Sequence, residues 1–580
     1  MPIEKLIRLI LLCLSLSGYI WLLSSKIKTE FAIGFTFSSI GSIMLLAGIA
    51  NILPLATNII VAGGLVCLIV CIILKMPLRA IITPGSVFFL LLMCFFAYIL
   101  YGSVFVEIDN FTHWAFVSKI LITNDRFPIA ADPNVWFKSY PLGSASFIYF
   151  FCEFCKADSE WFQMLVQAAM MSGMACSLFA FAKNTKGYIL SAVSAVLLLC
   201  GNVGFNELYV DTLLALVSFG GIAFCLYYRN ELSSKIWFVI PYLTMLMSIK
   251  NSGLFFAAAI IIYVFFITVK EKKGLKEYLK LSVVSISPFT LLALWRHHVK
   301  VTFPDGFLSK HSMSPENFEQ VFSNKTSEDL SIMFESLKSE LLSFSNPFIY
   351  VLIFILVIFA ANKYLLKKRD YFFTQSAVHA CLIYLFYQLG LLGMYLFTMP
   401  ASEARYLDGY PRYNDTVLIV ICGILCCAVI SSDLISTKIP YKKTTTLFVY
   451  AATIIMLYGG VTPITSFYSK QHLDPNHNRA ITASLIQEYN IPMNSGYIII
   501  VDDSFDAGKK DAYFYMVKYI FGNNAKLRYL KDVKADESMF EKYPYVIMFH
   551  QTQPIIDYLE SRYGKNLPRV IHTPTYQPVW

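Results

Sequence analysis

Charge is what this chain lacks. Asp, Glu, Lys and Arg together make up 15% of its 580 residues, against 57% apolar residues and a mean hydropathy of +0.58. So little charge cannot wet the surface of a water-soluble enzyme of this size, and that class is excluded. Cysteine is missing from the C-terminal stretch. All 13 cysteines lie at or before Cys427, in or beside apolar runs (Cys67, Cys71, Cys200, Cys225, Cys426), so no disulfide framework is expected. There is no glycine-rich phosphate loop and no nucleotide-binding motif anywhere. No internal repeat of fixed period stands out, which argues against inverted-repeat transporters. No basic face with interleaved aromatics is present either, so the formal charge of +9 does not point to nucleic acid.

What the chain has instead is apolar runs long enough to cross a ~30 Å hydrocarbon core. They fall near 6–24, 31–50, 54–74, 85–104, 160–182, 187–203, 209–228, 236–249, 252–269, 281–296, 346–362, 372–398, 415–431 and 444–461. The expected class is therefore an α-helical polytopic membrane protein with about fourteen spans. The first run lacks a small-residue cleavage site and leads directly into Lys26 and Lys28, so it reads as a retained span rather than a signal peptide. The chain divides into N-terminal spans (1–84), a membrane module (85–461) and a tail (462–580). In the tail, short β-rich runs (Tyr497 to Val501, Lys526 to Leu530, Tyr545 to Phe549) alternate with helical patterns near 510–521, 536–542 and 553–563, the signature of a small α/β domain.

The basic residues cluster in short connections: Lys26 and Lys28, Lys75 and Arg79, Lys183 and Lys186, Arg229 and Lys235, 270–280, 363–369, and Lys438 with Lys442 and Lys443. All fall on one side of the spans, and only Lys5 and Arg8 disagree. By the positive-inside rule that side is cytoplasmic, in a plasma (inner) membrane. The other side then holds 105–158, the hairpin at 204–208, the turn at Lys250, loops 297–345 and 399–414, and the α/β tail.

Candidate chemistry sits on that outer side. Asp109 opens the first large loop at the membrane boundary. Residues 110–122 then place Phe111, Trp114, Ala115, Val117, Ile120 and Leu121 at roughly helical spacing, as expected of a helix lying in the interface. His113 follows Asp109 by four residues, which puts both on one helical face if the helix starts early enough. After Tyr140 and Pro141 turn the chain, a second aromatic-rich helix follows. Trp114, Trp136 and Tyr140 read as interface anchors or sugar platforms.

An acidic residue just beyond a span, two interfacial helices and a Tyr-Pro-Leu turn make this loop resemble that of the GT-C superfamily, polytopic glycosyltransferases that use polyprenyl-phosphate-linked sugars. The resemblance is to the protein mannosyltransferase and aminoarabinose transferase type. It continues in NELYVDTLLAL at 206–216, similar to the family's second acidic outer loop, in SIKNSG at 248–253, and in ARYLDGYPRY at 404–413, similar to its Arg-Tyr motif. The chain departs from the pattern in three extra N-terminal spans, a lone Asp109 where some members have Asp-Glu, and Asn251-Ser252 where many have glycine.

The resemblance implies inverting transfer of one sugar from a polyprenyl phosphate to a cell-surface glycan, lipid or polymer. Such a reaction needs a base for the acceptor hydroxyl and cations for the departing phosphate. Asp109 is assigned the base, with Asp211 and Glu207 as further outer carboxylates, Asp211 ahead of Glu207. Acidic residues at a bilayer edge call for a partner or a cap. Lys250, Arg405 and Arg412 are the candidate phosphate contacts, Arg405 ahead of Arg412 because Tyr406 follows it. His113, Tyr140 and Tyr406 are further substrate contacts. His297, His298 and His311 leave a divalent metal open, without a carboxylate or cysteine spacing to complete a site. Loop 297–345 is an acceptor lid or a disordered connector. A flippase of lipid-linked oligosaccharide, or a polysaccharide polymerase, is the competing reading. A reporter fused after Trp580 should behave as extracytoplasmic, and cytoplasmic behaviour would invert the assigned active side.

Overall fold

The computed structural model describes residues 3–132, 135, 137–201, 204–304, 315–367, 369–435, 442–461, 469–492, 495–505, 507–522 and 524–573. With no water in a hydrocarbon core to receive free backbone N–H and C=O groups, long apolar runs must satisfy them internally. Accordingly each run is helical. Ten helices among the described residues are long and apolar enough to cross a membrane: Ile3–Leu23, Thr29–Ile49, Leu53–Ile73, Glu160–Phe181, Leu232–Ile249, Gly253–Lys270, Leu275–Thr302, Phe348–Leu365, Tyr371–Phe397 and Tyr410–Ser431. Three further expected spans are shorter helices of 17, 15 and 17 residues, Pro84–Leu100, Thr185–Leu199 and Asp211–Tyr227. The last expected span is the helix Lys442–Gly460.

The chain forms two compact units. The first comprises Met1–Val104, Val117–Ile129 and Trp136–Lys470, so the N-terminal helices belong with the later ones. Phe31 in the second helix meets Phe181, Phe224, Tyr227 and Tyr228. The helices Asp211–Tyr227 and Tyr410–Ser431 are buried along almost their whole length. Around them, helices such as Leu53–Ile73 and Gly253–Lys270 bury one stripe and leave Ile59, Ile69, Ile262 and Phe266 exposed, a surface suited to hydrocarbon rather than water. Where side chains are small, helices approach closely. Gly18 and Gly64 bring the first and third helices together so tightly that a Cβ on Gly64 would overlap the backbone of Ser15.

The basic connections gather at one end of this unit. Lys235 Nζ donates to the Lys26 carbonyl (2.6 Å), Lys183 Nζ to the Ser431 carbonyl (2.7 Å) and Lys186 Nζ to Thr446 Oγ1 (2.7 Å). Loop 297–345 is largely helical where described. The preceding helix runs on to Thr302, and Pro315–Ser323 and Ser327–Leu342 follow. Thr326 starts the latter with a reciprocal cap: its Oγ1 accepts the Asp329 N–H (3.1 Å), while Asp329 Oδ2 accepts the Thr326 N–H (2.7 Å).

The second unit joins Gln471–Trp580 with Phe105–Phe116 and Ala130–Val135. Its sheet has the order β2-β1-β3-β4, from β1 (Tyr497–Val501), β2 (Ala525–Tyr529), β3 (Tyr545–Met548) and β4 (Val570–His572); only β4 is antiparallel to its neighbour. Ile498, Ile500, Val546 and Met548 pack against Val533, Ile555 and Leu559. Phe105 and Phe111 lie against Tyr519, with ring centroids 6.4 and 5.3 Å away. The interfacial helix expected over 110–122 is two helices, Ile108–Thr112 and Trp114–Asn124, broken at His113, whose φ of −150° and ψ of −75° are not helical.

Gly64→Val should place a branched side chain against the Ser15 backbone and destabilise the first unit by about 1–3 kcal/mol. The detergent-solubilised protein should unfold several degrees lower, while Val66→Leu on the exposed face should leave the midpoint in place.

Candidate active site

Asp211 begins the helix Asp211–Tyr227, whose other terminus lies among the basic connections, so Asp211 stands at the end of the unit away from them. It is 3% exposed. Two cations from separate helix junctions meet it: Lys250 Nζ is 3.2 Å from Oδ1, and Arg412 Nε is 3.4 Å from Oδ2. Lys250 sits extended between the helices Ile240–Ile249 and Gly253–Lys270. Arg412 lies in the first turn of Tyr410–Ser431, where Gly409 (φ 77°) makes the left-handed entry that a Cβ would strain, and Pro411 fixes the first helical turn. Aromatic rings flank both cations. Lys250 lies over Tyr413 (5.0 Å), and Arg412 over Tyr209 (5.2 Å) and Tyr413 (5.5 Å).

The N-termini of three helices, those starting at Asp211, Gly253 and Tyr410, thus converge here, and each contributes partial positive charge. Burial pulls the Lys250 ammonium down, but Asp211 beside it more than offsets this and holds its pKa above the ordinary lysine value. Tyr140, 9% exposed and acted on by the same charges, is pushed up to about 12, first by burial, so its hydroxyl stays a donor at neutral pH. Gln167 fixes the loop before Asp211, donating to the Tyr209 carbonyl (3.0 Å) and the Glu207 carbonyl (3.4 Å). Glu207 is itself buried, at 5% exposure.

A cavity of about 440 Å³ adjoins the cluster. Lys250, Tyr140 and Tyr413 stand on it, while Leu254, Phe255, Leu391 and Phe397 supply apolar wall. Gly390 and Gly393 also line it, and a Cβ on either would meet nothing, so they keep one side open. Behind it, Gln388 donates to Asn414 Oδ1 (2.8 Å) and accepts from the Tyr410 hydroxyl (3.2 Å), a buried network that sets the start of the Arg412 helix.

Arg405, placed first among the phosphate contacts from sequence, is engaged elsewhere. Its guanidinium pairs with Asp329, and Ser336 Oγ donates to its carbonyl (3.3 Å). Hydrogen bonds from Thr326 and the Arg405 guanidinium hold the Asp329 carboxyl down at about 2. Tyr406 is 77% exposed. Arg412 is the arginine brought to the buried carboxylate. The cause is local: the turn at Leu407 (φ 51°) and Gly409 separates the two arginines, so they do not share a face.

Asp109 and His113 belong to the second unit. His113 is fully buried with its ring edge-on to Trp114 (4.6 Å), and its N–H donates to the Asp109 carbonyl (3.0 Å) as the cap of the short helix. Trp136 and His311 lie outside the described residues. His298 packs among Trp295 and Phe127, and among the described residues no three His, Cys, Asp or Glu side chains group as metal ligands. Tyr209, Tyr413, Asp329 and Tyr387, which also lines the cavity, carry parts of this arrangement that sequence reading did not single out. Tyr413 was readable as the residue following Arg412, whereas Tyr387 and Asp329 become neighbours only through tertiary packing. No family model and no curated protein matches the chain.

Asp211→Asn strands two cations around a neutral amide and should destabilise the protein by about 3–5 kcal/mol. Asp211→Asn combined with Lys250→Met should cost less than the sum of the two single changes in thermal unfolding; strict additivity would show that the pair is not coupled.

Proposed function

We propose that the chain is a membrane glycosyltransferase that moves a sugar from a polyprenyl-phosphate donor to a cell-surface glycan, lipid or polymer, with inversion. One observation carries this reading: an apolar cavity with a buried ammonium at its head, next to a second cation and three helix N-termini. Such a site offers hydrocarbon to an isoprenoid chain and positive charge to the phosphate joined to it. In this proposal Lys250 and Arg412 stabilise the phosphate as the sugar leaves, the guanidinium through two-point contacts. Tyr140 donates a hydrogen bond to donor or acceptor. Asp211, already shared by two cations, positions them. The base is Asp109, on the ground of its place at the opening of the loop and the family resemblance. The basic end is assigned to the cytoplasm of a plasma (inner) membrane and the α/β unit to the outside, with about fourteen spans.

Mass analysis of surface glycans with and without the gene tests the class. Loss of one side-branch sugar is expected; loss of whole glycans would favour a flippase or polymerase. In membranes supplied with donor lipid, Arg412→Ala should lose ~1.5–3 kcal/mol of transition-state stabilisation, roughly ten- to more than a hundredfold in rate. Arg405→Ala should lose less, and Asp109→Asn on the order of a hundredfold or more. Near-normal transfer by Asp109→Asn would remove it as the base.

A further inference from the structure

The end of the first unit that collects the basic connections contains a cavity the proposed reaction does not use. It encloses about 510 Å³ and is lined by Lys28, Lys183, Arg229 and Arg369, with Asp370 and Asp433 the carboxylates present. Among the described residues none of the four cations forms an ion pair. Among the described residues each keeps side-chain donors unused. Lys183 gives one proton to the Ser431 carbonyl (2.7 Å), and Arg229 gives one to the Leu226 carbonyl (3.0 Å) while its plane lies 4.0 Å over Phe372. Asp370 accepts the Phe373 N–H (3.0 Å) as a helix cap. Four cations brought from four separate connections outnumber the two carboxylates in the lining, and their mutual repulsion favours binding of a further anion.

A second cavity, of about 640 Å³, shares Lys28 and Tyr227 with the first. Its lining is polar: Thr29, Asn230, Tyr188 and Glu30. Glu30 is 4% exposed and its Oε2 has no hydrogen-bond donor among the described residues, so a ligand hydroxyl would satisfy an oxygen that the protein leaves bare.

We propose that the two cavities together bind a phosphate ester carrying a hydroxylated body, the phosphate among Arg229, Arg369 and Lys183 and the hydroxyls toward Glu30. Arginine forks and a lysine match phosphate oxygens, and a buried carboxylate selects donors. The same chemistry is offered by an anionic lipid headgroup and by a free polyol phosphate.

Binding to the purified full-length protein in detergent separates these sources. The probes are short-chain phosphatidylglycerol, short-chain phosphatidylcholine and glycerol 3-phosphate. Phosphatidylglycerol should bind at least tenfold tighter than phosphatidylcholine. Arg229→Gln with Arg369→Gln should weaken it tenfold or more, and Lys363→Gln, at an exposed lysine outside the cavity, should leave it unchanged. Because Arg229 also stacks on Phe372, Arg369→Gln alone serves as the second variant, with severalfold weakening expected. Competition by glycerol 3-phosphate at concentrations matching the lipid would identify a free phosphate ester as ligand, and its failure to compete would identify the lipid; either supports the site. Equal binding of the two lipids, or unaltered phosphatidylglycerol binding in both arginine variants, would overturn it.

Discussion

A carboxylate taken almost wholly out of water stays charged only if cations come to it, and Asp211 makes that demand on the first unit. Lys250 and Arg412 answer it from two junctions far apart in sequence. Meeting it fixes where three helices begin, because each cation or carboxylate lies within three residues of a helix start. The cost of leaving any member alone is what makes the arrangement specific. The apolar cavity beside it stays open where Gly390 and Gly393, on the helix Tyr371–Phe397, offer no side chain to fill the space.

Much of the fold was legible because burial in a membrane leaves a coarse signal. Every apolar run became a helix, and the strand from Tyr497 to Val501 was readable to the residue from its β-branched run. Less legible features depended on short or partial patterns. β4 has three residues, and the helix Asn478–Tyr489 buries only Thr482 and Leu485, too thin a stripe to stand out. The helix break at His113 has no proline or glycine to announce it.

The candidate site was half legible. Asp211, Lys250, Arg412 and Tyr140 were identifiable as polar groups at the ends of apolar runs, where charge requires a reason. Their ranking was not, since which arginine turns inward depends on a backbone turn at Leu407 and Gly409, and on Asp329 being present to occupy Arg405. Nor did hydropathy reveal that Asp109 and His113 fold with the tail. That partition is written in Phe105 and Phe111 finding Tyr519, a contact between segments some four hundred residues apart.

That contact also has a temporal side. A ribosome adding about 5–20 residues each second needs on the order of tens of seconds to pass from Phe116 to the first residues of the α/β unit. Through that interval Phe105 and Phe111, which end 0% and 2% exposed, have no Tyr519 to cover them. The first loop is thus translated early but finished last. Until the tail emerges, the bilayer surface or a chaperone must shelter its aromatic face, and a chain stopped short of the tail would leave that face permanently bare.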